Sequence, residues 1–431
     1  MNSTSPYPGL QPEGTSTLVG IRLSVMMFLQ FFVWGAWYVS MTGWMSVAGI
    51  SGLISWAYTV GPIAAVISPF FLGAIADRFF APQRVLSAMH LLGGVFLIAI
   101  PHVVGGLASD TPQGFMHPFV LLALAHMLCS IPTLGLTNSL SFHHMSNPEK
   151  QFPIVRVFGT IGWIAGNLAV SLLPEGDKSP HQFYLAGGAG LLLGLYSLSL
   201  PHTPPPAAGK NFSVAEALGL RSLKLLAQPS YAVFAVCSLL ICIPLAGYYA
   251  FARNFVEHVG FAKPTTTMSF GQMSEIIFMI LMPAFFARLG VKWMLAVGMF
   301  AWVVRYYLFA AAAPGLVQWM TLGGILLHGI CYDFFFVTGF IYVDRVAPKE
   351  LRGQAQGFLV LITQGLGLGL GAQAFGLLKS YATTKSEEGV ETLDWQLFWT
   401  IPAVFAFLVL LLFIALFRDR VRSPGNHVTE Q

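Results

Sequence analysis

Four ionisable residues lie inside stretches of sequence that are otherwise apolar: Arg156, Glu275, Arg305 and Asp333. Asp333 stands in the middle of LLHGICYDFFFVTGFIYV, a segment long enough to cross a bilayer. A carboxylate at the centre of a membrane costs at least ~2.5 kcal/mol, so such residues usually mark ion or substrate pathways. Two acids and two bases in this setting indicate a transport pathway that is coupled to protons.

Asp333 and Arg305 lie in adjacent predicted membrane spans, and we expect them to form a proton switch. A guanidinium can hold a nearby buried carboxylate ionised, and protonation of the carboxylate then breaks the pair. The alternative is a static ion pair that only joins two helices.

Glu275 follows Gln272 by three residues in FGQMSEIIFMI, which places a carboxylate and an amide on one helix face. Such a face can recognise a polar ligand that carries both donors and acceptors. Hydrogen bonding between helices is the alternative.

Arg156 belongs to FPIVRVFGTIGWI, with Thr160 and Trp163 at i+4 and i+7 on the same helix face. A base, a hydroxyl and an aromatic ring would then line one stripe of a binding site. Because Arg156 lies near a helix end, an arginine that only reaches the membrane interface is the alternative.

Two further polar residues are candidate ligand contacts. Gln30 precedes Trp34 and Trp37 on one face of FLQFFVWGAWY, where an indole ring could stack on a planar solute; packing is the alternative. Asn138 lies well inside the apolar segment IPTLGLTNSLSF, where hydrogen bonding between helices is an equal alternative.

Composition indicates the class of protein that must hold these residues. The 431 residues are 55% hydrophobic and 9% charged, against about 25% charged in soluble proteins. We therefore predict an all-α membrane protein. The four cysteines lie in apolar segments without metal-binding spacing, and we expect no metal, no cofactor and no nucleic-acid partner. The polar first residues, MNSTSPYPGLQPEGTST, lack the features of a signal peptide.

Twelve apolar segments are long enough to be membrane spans, six on each side of a polar connector. The predicted halves are residues 1–200 and 231–431, and the connector 201–230 contains FSVAEALGLRSLKLL, either an amphipathic surface helix or a plain linker. Most of the 22 Lys and Arg residues fall on one side, which predicts that both termini are cytoplasmic. The spans are near 21–46, 53–76, 84–107, 117–141, 152–173, 182–200, 231–252, 267–288, 291–312, 316–343, 354–378 and 397–417.

Two six-span halves describe a major facilitator architecture, in which the substrate site lies between the halves near the midplane. The loop GAIADRFFAPQR between spans 2 and 3 is similar to the glycine, aspartate and arginine motif of that superfamily, although its second half differs. Asp77, Arg78 and Arg84 would form a charge latch between helices. Simple anchoring at the membrane surface is the alternative.

Taken together, the motifs resemble the nucleoside:proton symporters of the major facilitator superfamily. The resemblance covers most of the chain. It is carried by residues 28–38, 73–80, 132–142, 152–163, 272–278, 301–310, 332–336, 352–357 and 394–396.

The resemblance implies a role for each matching residue. Asp333 matches the acid implicated in proton coupling, and His328 stands where a tyrosine is usual. Span 7 departs from the family pattern, because Ala246 and Tyr249 stand nearest the positions of a glutamine and an asparagine that contact the ligand. The nucleoside contacts implied by the resemblance are Arg156, Thr160, Gln272 and Glu275, flanked by Trp163 and Tyr332.

We therefore predict a transporter, and not an enzyme, that imports nucleosides with protons by alternating access. It would lie in the cytoplasmic (inner) membrane, surrounded by lipid, and function as a monomer. Asp333, Arg305 and Glu275 would couple transport to protons. Two alternatives stay open: a proton-coupled transporter of another polar solute, such as a sugar, and a membrane sensor on the same scaffold that does not transport.

Overall fold

The computed structural model describes residues 17–71, 79–106, 111, 113–205, 213, 220–385, 387 and 391–418. Ten helices within these ranges are long and apolar enough to cross a membrane. One of them, Pro264–Ala312, consists of two spans that meet at Gly290, and the 17-residue helix His181–Ser197 is nearly as long as a span. The described residues are thus consistent with the twelve predicted spans.

Among the described residues, the first six spans are built from seven α-helices. Prolines at the first helical position begin several of them, because that position needs no backbone N–H donor. The helices are Thr17–Gly35 and Met41–Val47 in span 1, Ile54–Phe71 in span 2, Pro82–Gly105 in span 3, Pro118–His143 in span 4, Pro148–Ser171 in span 5 and His181–Ser197 in span 6.

Spans 7 to 12 are more broken than the first six. Span 7 is Pro229–His258, spans 8 and 9 share Pro264–Ala312, and span 12 is Trp395–Leu416. Span 10 comprises Gln318–Leu326, His328–Tyr332, the π-helical turn Asp333–Val337 and Thr338–Val346; span 11 comprises Arg352–Val360, the π-helical turn Leu361–Gly367 and Leu368–Ala382. A short antiparallel hairpin, β1 (Thr383–Lys385) and β2 (Glu391–Leu393), links spans 11 and 12. Short 3₁₀ helices lie at Ser51–Leu53, Gly114–Met116, Gly176–Lys178, Leu220–Ala227 and Lys349–Leu351.

Breaks in the spans fall where the sequence predicts continuous helices. Span 1, predicted as one helix over 21–46, ends its first helix at Gly35 and resumes at Met41. Gly290 ends span 8 with a φ of 64°, a conformation that costs a residue with a side chain more than it costs glycine. The π-helical turn in span 10 begins at Asp333, and wide turns of this kind are frequent at functional sites.

Spans 1 and 5 pack backbone against backbone. A Cβ atom added at Gly162 would lie 2.1 Å from the carbonyl oxygen of Phe28, and one at Gly35 would lie 2.3 Å from that of Trp163. Only glycine permits such approach, as is common where membrane helices pack on small residues. This contact fixes the positions of the indole rings that follow on both spans.

The two sets of six spans contact each other on one side of the molecule. We call this side the far face, because it is opposite the side where span 1 begins and span 12 ends. Arg253 of span 7 donates two hydrogen bonds to Asp177, at 3.0 Å and 2.8 Å, and Thr265 donates a third at 2.7 Å. Gln373 of span 11 donates to Thr59 of span 2 at 2.7 Å.

Part of the predicted latch lies outside the described residues, since Asp77 and Arg78 are not among them. Arg84 is described, and it is exposed in the first turn of span 3. Most of the predicted surface helix of the connector also lies outside the described ranges; its last residues form the 3₁₀ helix Leu220–Ala227.

Candidate solute-binding site

A cavity of about 180 Å³ lies between the two sets of spans. Spans 1, 2, 4 and 5 line one side of it, and spans 7, 8, 10 and 11 line the other. Since a protein cavity of ~150 Å³ holds a benzene molecule, this space suits a small solute. The hydrogen bonds between halves named above all lie between this cavity and the far face.

Seven residues proposed from the sequence line this one cavity, although they come from three different spans. Their convergence means that side chains more than 170 positions apart along the sequence could contact one solute. The seven are Arg156, Thr160, Trp163, Gln272, Glu275, His328 and Tyr332.

Opposite charges face each other across the cavity. Arg156 of span 5 and Glu275 of span 8 interact electrostatically, yet they form no salt bridge within 4.0 Å in the described structure. The Arg156 guanidinium instead lies 4.3 Å from the centre of the Phe31 ring. A donor-rich cation and an acceptor-only anion are therefore both available to a solute between them.

Two polar atoms on the cavity lining are buried without a hydrogen-bond partner among the described residues: Oε1 of Gln272 and Nε1 of Trp34. Buried polar groups are normally paired, and each exception needs an explanation. A solute that supplies a donor to Gln272 and an acceptor to Trp34 would give both atoms a hydrogen-bond partner.

Aromatic rings cover the wall between these polar groups. The Trp34 and Trp163 rings lie 5.8 Å apart, and the Tyr38 ring lies 6.3 Å from that of Tyr249 on span 7. Asn167, with its amide oriented to match donors with acceptors, accepts a hydrogen bond from Nε1 of Trp163 at 3.0 Å. The wall therefore offers flat apolar surface to a planar ring.

Gln30 and Asn138 do not line the cavity. The Gln30 amide is buried; it donates to Thr133 at 2.8 Å and pairs with Nε2 of His90 at 2.7 Å. Both ends of this amide are thus used to join spans 1, 3 and 4. Asn138 is half-buried on span 4.

The expected ion pair between Asp333 and Arg305 is not formed in the described structure, which corrects the sequence-based expectation. Arg305 instead donates from Nε to the carbonyl oxygen of Gly324 at 3.1 Å and contacts His328. Asp333 follows His328 by five residues, which is about 140° further around a helix. The guanidinium that reaches His328 therefore does not reach the carboxylate.

Asp333 is fully buried, and both of its carboxylate oxygens lack a hydrogen-bond partner among the described residues. The charged group that acts on it is Glu275, another carboxyl group, rather than a cation. An isolated buried carboxylate is expensive unless it is paired or neutral. This carboxyl has neither a donor nor a counter-charge in the conformation described.

Some lining residues were not singled out from the sequence. Gln364 contributes an amide from the π-helical turn of span 11, and Phe31 supports Arg156. An amide inside the apolar run LITQGLG was the available signal for Gln364. Of the two departures in span 7, Tyr249 lines the cavity, whereas Ala246 packs near Gly371 of span 11.

Among the described residues, no group of three or more His, Cys, Asp or Glu side chains is placed to hold a metal ion. The four cysteines are buried and unpaired.

Several known proteins are similar to this chain over almost its whole length. Xanthosine permease of Escherichia coli (strain K12) is 31% identical over 92% of this chain and 95% of its own length. YegT of the same organism is 39% identical over 92% of this chain and 93% of its own length. The crystal structure of nucleoside transporter NupG superimposes with a TM-score of 0.80 at 28% identity, covering 93% of this chain and 99% of that chain.

These similarities confirm the predicted major facilitator fold and a multi-pass membrane protein that transports rather than catalyses. The model of the nucleoside H⁺ symporter family matches residues 18–422. The chain therefore belongs to the nucleoside H⁺ symporter family.

Proposed function

We propose that this protein imports nucleosides together with protons by alternating access. The observation that carries the proposal is the convergence of Arg156 and Glu275, from opposite halves, on one cavity with aromatic walls. A nucleoside combines a planar base with a polyhydroxylated sugar. It can therefore use the aromatic wall and the charged groups at the same time.

The proton would bind at the carboxyl group of Asp333. This group is buried and has no donor or cation among the residues that the structure describes, so neutralisation by a proton removes the cost of burying its charge. Glu275 lies close enough to interact with it and also lines the cavity. Protonation of Asp333 would therefore change the electrostatic environment of Glu275 and, with it, the interaction of Glu275 with the solute.

Both termini would be cytoplasmic, in the inner membrane, as the distribution of Lys and Arg favours. The far face is then the outer face. Its hydrogen bonds between halves would close the cavity towards the outside. Alternating access would require these bonds to break and a corresponding contact to form on the cytoplasmic side. The transporter would act as a monomer in the lipid bilayer.

The decisive experiment is uptake of radiolabelled uridine into proteoliposomes with an imposed inward proton gradient. We expect accumulation that depends on the gradient and collapses when a protonophore is added. Accumulation that ignores the gradient would refute proton coupling.

Tyr249 favours a second candidate, a related solute with a different base or sugar. The resemblance implies an amide in this part of span 7, and this chain presents a phenolic ring to the cavity instead. Competition between labelled uridine and a panel of unlabelled nucleosides and sugars separates the two candidates, because the compound that fits the site best competes at the lowest concentration.

A further inference from the structure

Arg305 is a fully buried guanidinium that has no carboxylate partner among the described residues. Its Cζ lies 4.2 Å from the centre of the Tyr248 ring, and its Nε donates to the carbonyl oxygen of Gly324. One terminal nitrogen, Nη2, lies 3.3 Å from Nδ1 of His328. A buried charge held in this way needs a role other than an ion pair.

The contact between Arg305 and His328 determines where the histidine carries its proton. A guanidinium has only donors, so Nδ1 of His328 must accept and cannot carry a hydrogen. The hydrogen of the neutral ring is then on Nε2. Stacking on Tyr248, with ring centres 5.4 Å apart and planes 19° from parallel, also fixes the ring orientation.

His328 lines the cavity described above, and its Nε2 has no protein partner among the described residues. Gln272, whose Oε1 also lacks a partner, lines the same cavity. The contacts of the ring thus leave one N–H donor for whatever fills the cavity.

We infer that Arg305 is a positioning residue that holds His328 in its Nε2–H form, so that this ring donates a hydrogen bond to an acceptor atom of the transported solute. The inference rests on the proposed function only for the identity of the solute. It also makes His328 a specificity residue, because a site built to donate a hydrogen bond rejects solutes that lack the matching acceptor.

The tautomer can be observed without any transport. Nitrogen-15 NMR of protein labelled at histidine distinguishes a protonated ring nitrogen from an unprotonated one, and His328→Gln identifies the His328 signals by their disappearance. We expect Nδ1 without hydrogen and Nε2 with hydrogen in the wild type, and a mixture of both forms in Arg305→Gln. A hydrogen on Nδ1 in the wild type would overturn the inference.

The donated hydrogen bond can be located by competition against radiolabelled uridine. The competitors each lack one acceptor: 4-deoxyuridine, 2′-deoxyuridine, 3′-deoxyuridine and 5′-deoxyuridine. We expect one of them to bind about tenfold more weakly than uridine in the wild type, as for a hydrogen bond in a buried site, and within about twofold of uridine in His328→Leu. Arg305→Gln should reduce the same difference.

His328→Gln serves as the matched variant, because it keeps an N–H donor and should retain part of the discrimination. Equal losses for every analogue in the wild type and in His328→Leu would show that the ring does not contact the solute. If uridine does not bind at all, the proposed nucleoside specificity fails, and the NMR result still judges the role of Arg305.

Discussion

The buried contact between Asp177 and Arg253 should decide how often the far face opens. Their side chains are 9% and 1% exposed, and Thr265 adds a third hydrogen bond to the same carboxylate. Removing one partner of a buried ion pair costs about 3–5 kcal/mol, because the other charge stays buried without compensation. Glu257 also contacts Arg253, so we take the lower end for Asp177→Ala. Destabilising the state closed at the far face by about 3 kcal/mol shifts the equilibrium roughly a hundredfold towards the state open there.

Spin labels on each half can measure this shift by double electron–electron resonance. Val47 and Leu316 are exposed at far-face ends of spans, and the four native cysteines are buried, so introduced cysteines there would take the labels. We expect a longer distance to dominate in Asp177→Ala. Lys178→Ala is the matched control: Lys178 pairs with Glu257 while 48% exposed, and such pairs contribute at most about 1 kcal/mol. An unchanged distance distribution in a stably folded Asp177→Ala protein would refute the reasoning.

The same contact has a defined response to pH. Burial opposes ionisation of Asp177, but the hydrogen bonds and charge of Arg253, with Thr265, outweigh it and lower the pKa of this carboxyl group. The stabilisation is therefore complete above the ordinary carboxyl pKa of about 3.9 and is lost only as the pH falls below it. We expect the far-face distance to stay constant from about pH 5 to pH 8. Opening near pH 6 would show that another group controls it.

Three further predictions follow from the cavity and the packing of the spans. Asp333→Asn should abolish uphill uptake driven by a proton gradient and spare exchange of labelled for unlabelled solute. The matched variant Asp344→Asn in the same span should keep both activities. If Asp333→Asn accumulates solute like the wild type, Asp333 is not the proton-binding group. Glu275→Gln should weaken uridine binding, measured by competition, by about tenfold or more, because a neutral amide replaces an acceptor-only group; unchanged affinity would place the solute elsewhere. Gly162→Val should lower the melting temperature or prevent folding, because its Cβ would meet the Phe28 carbonyl at 2.1 Å. Gly188→Val, which has open space around it, should be tolerated. Similar melting temperatures for both variants would contradict the close packing of spans 1 and 5.

The sequence allowed prediction of the spans and of most charged and polar side chains on the cavity, for a physical reason. Charged and amide groups in apolar spans are so costly that their positions alone mark the interior of a bundle, as with Glu275 and Gln272. Hydropathy reports where a span lies, not where its backbone departs from α-helical geometry. The break after Gly35 and the π-helical turns of spans 10 and 11 were therefore not predicted.

Pairing between particular side chains was also beyond the sequence. Arg305 and Asp333 are the natural partners by charge and by neighbouring spans, yet a rotation of about 140° between His328 and Asp333 separates them. Gln30 carries the donor and acceptor groups of a ligand contact, but its amide forms hydrogen bonds with His90 and Thr133 instead. Both outcomes depend on which way a helix faces, and that is set by packing against other helices.

The cavity has one stiff wall and one compliant wall. Spans 1 and 5 touch through their backbones, so the surface carrying Trp34 and Trp163 can shift only as one piece. The opposite surface includes two wide turns, Asp333–Val337 and Leu361–Gly367, and tightening either one to an α-helix would turn the residues beyond it by about 100°. Adjustment to solutes of different shape would then take place in spans 10 and 11, on the same side of the cavity as the carboxyl group of Asp333.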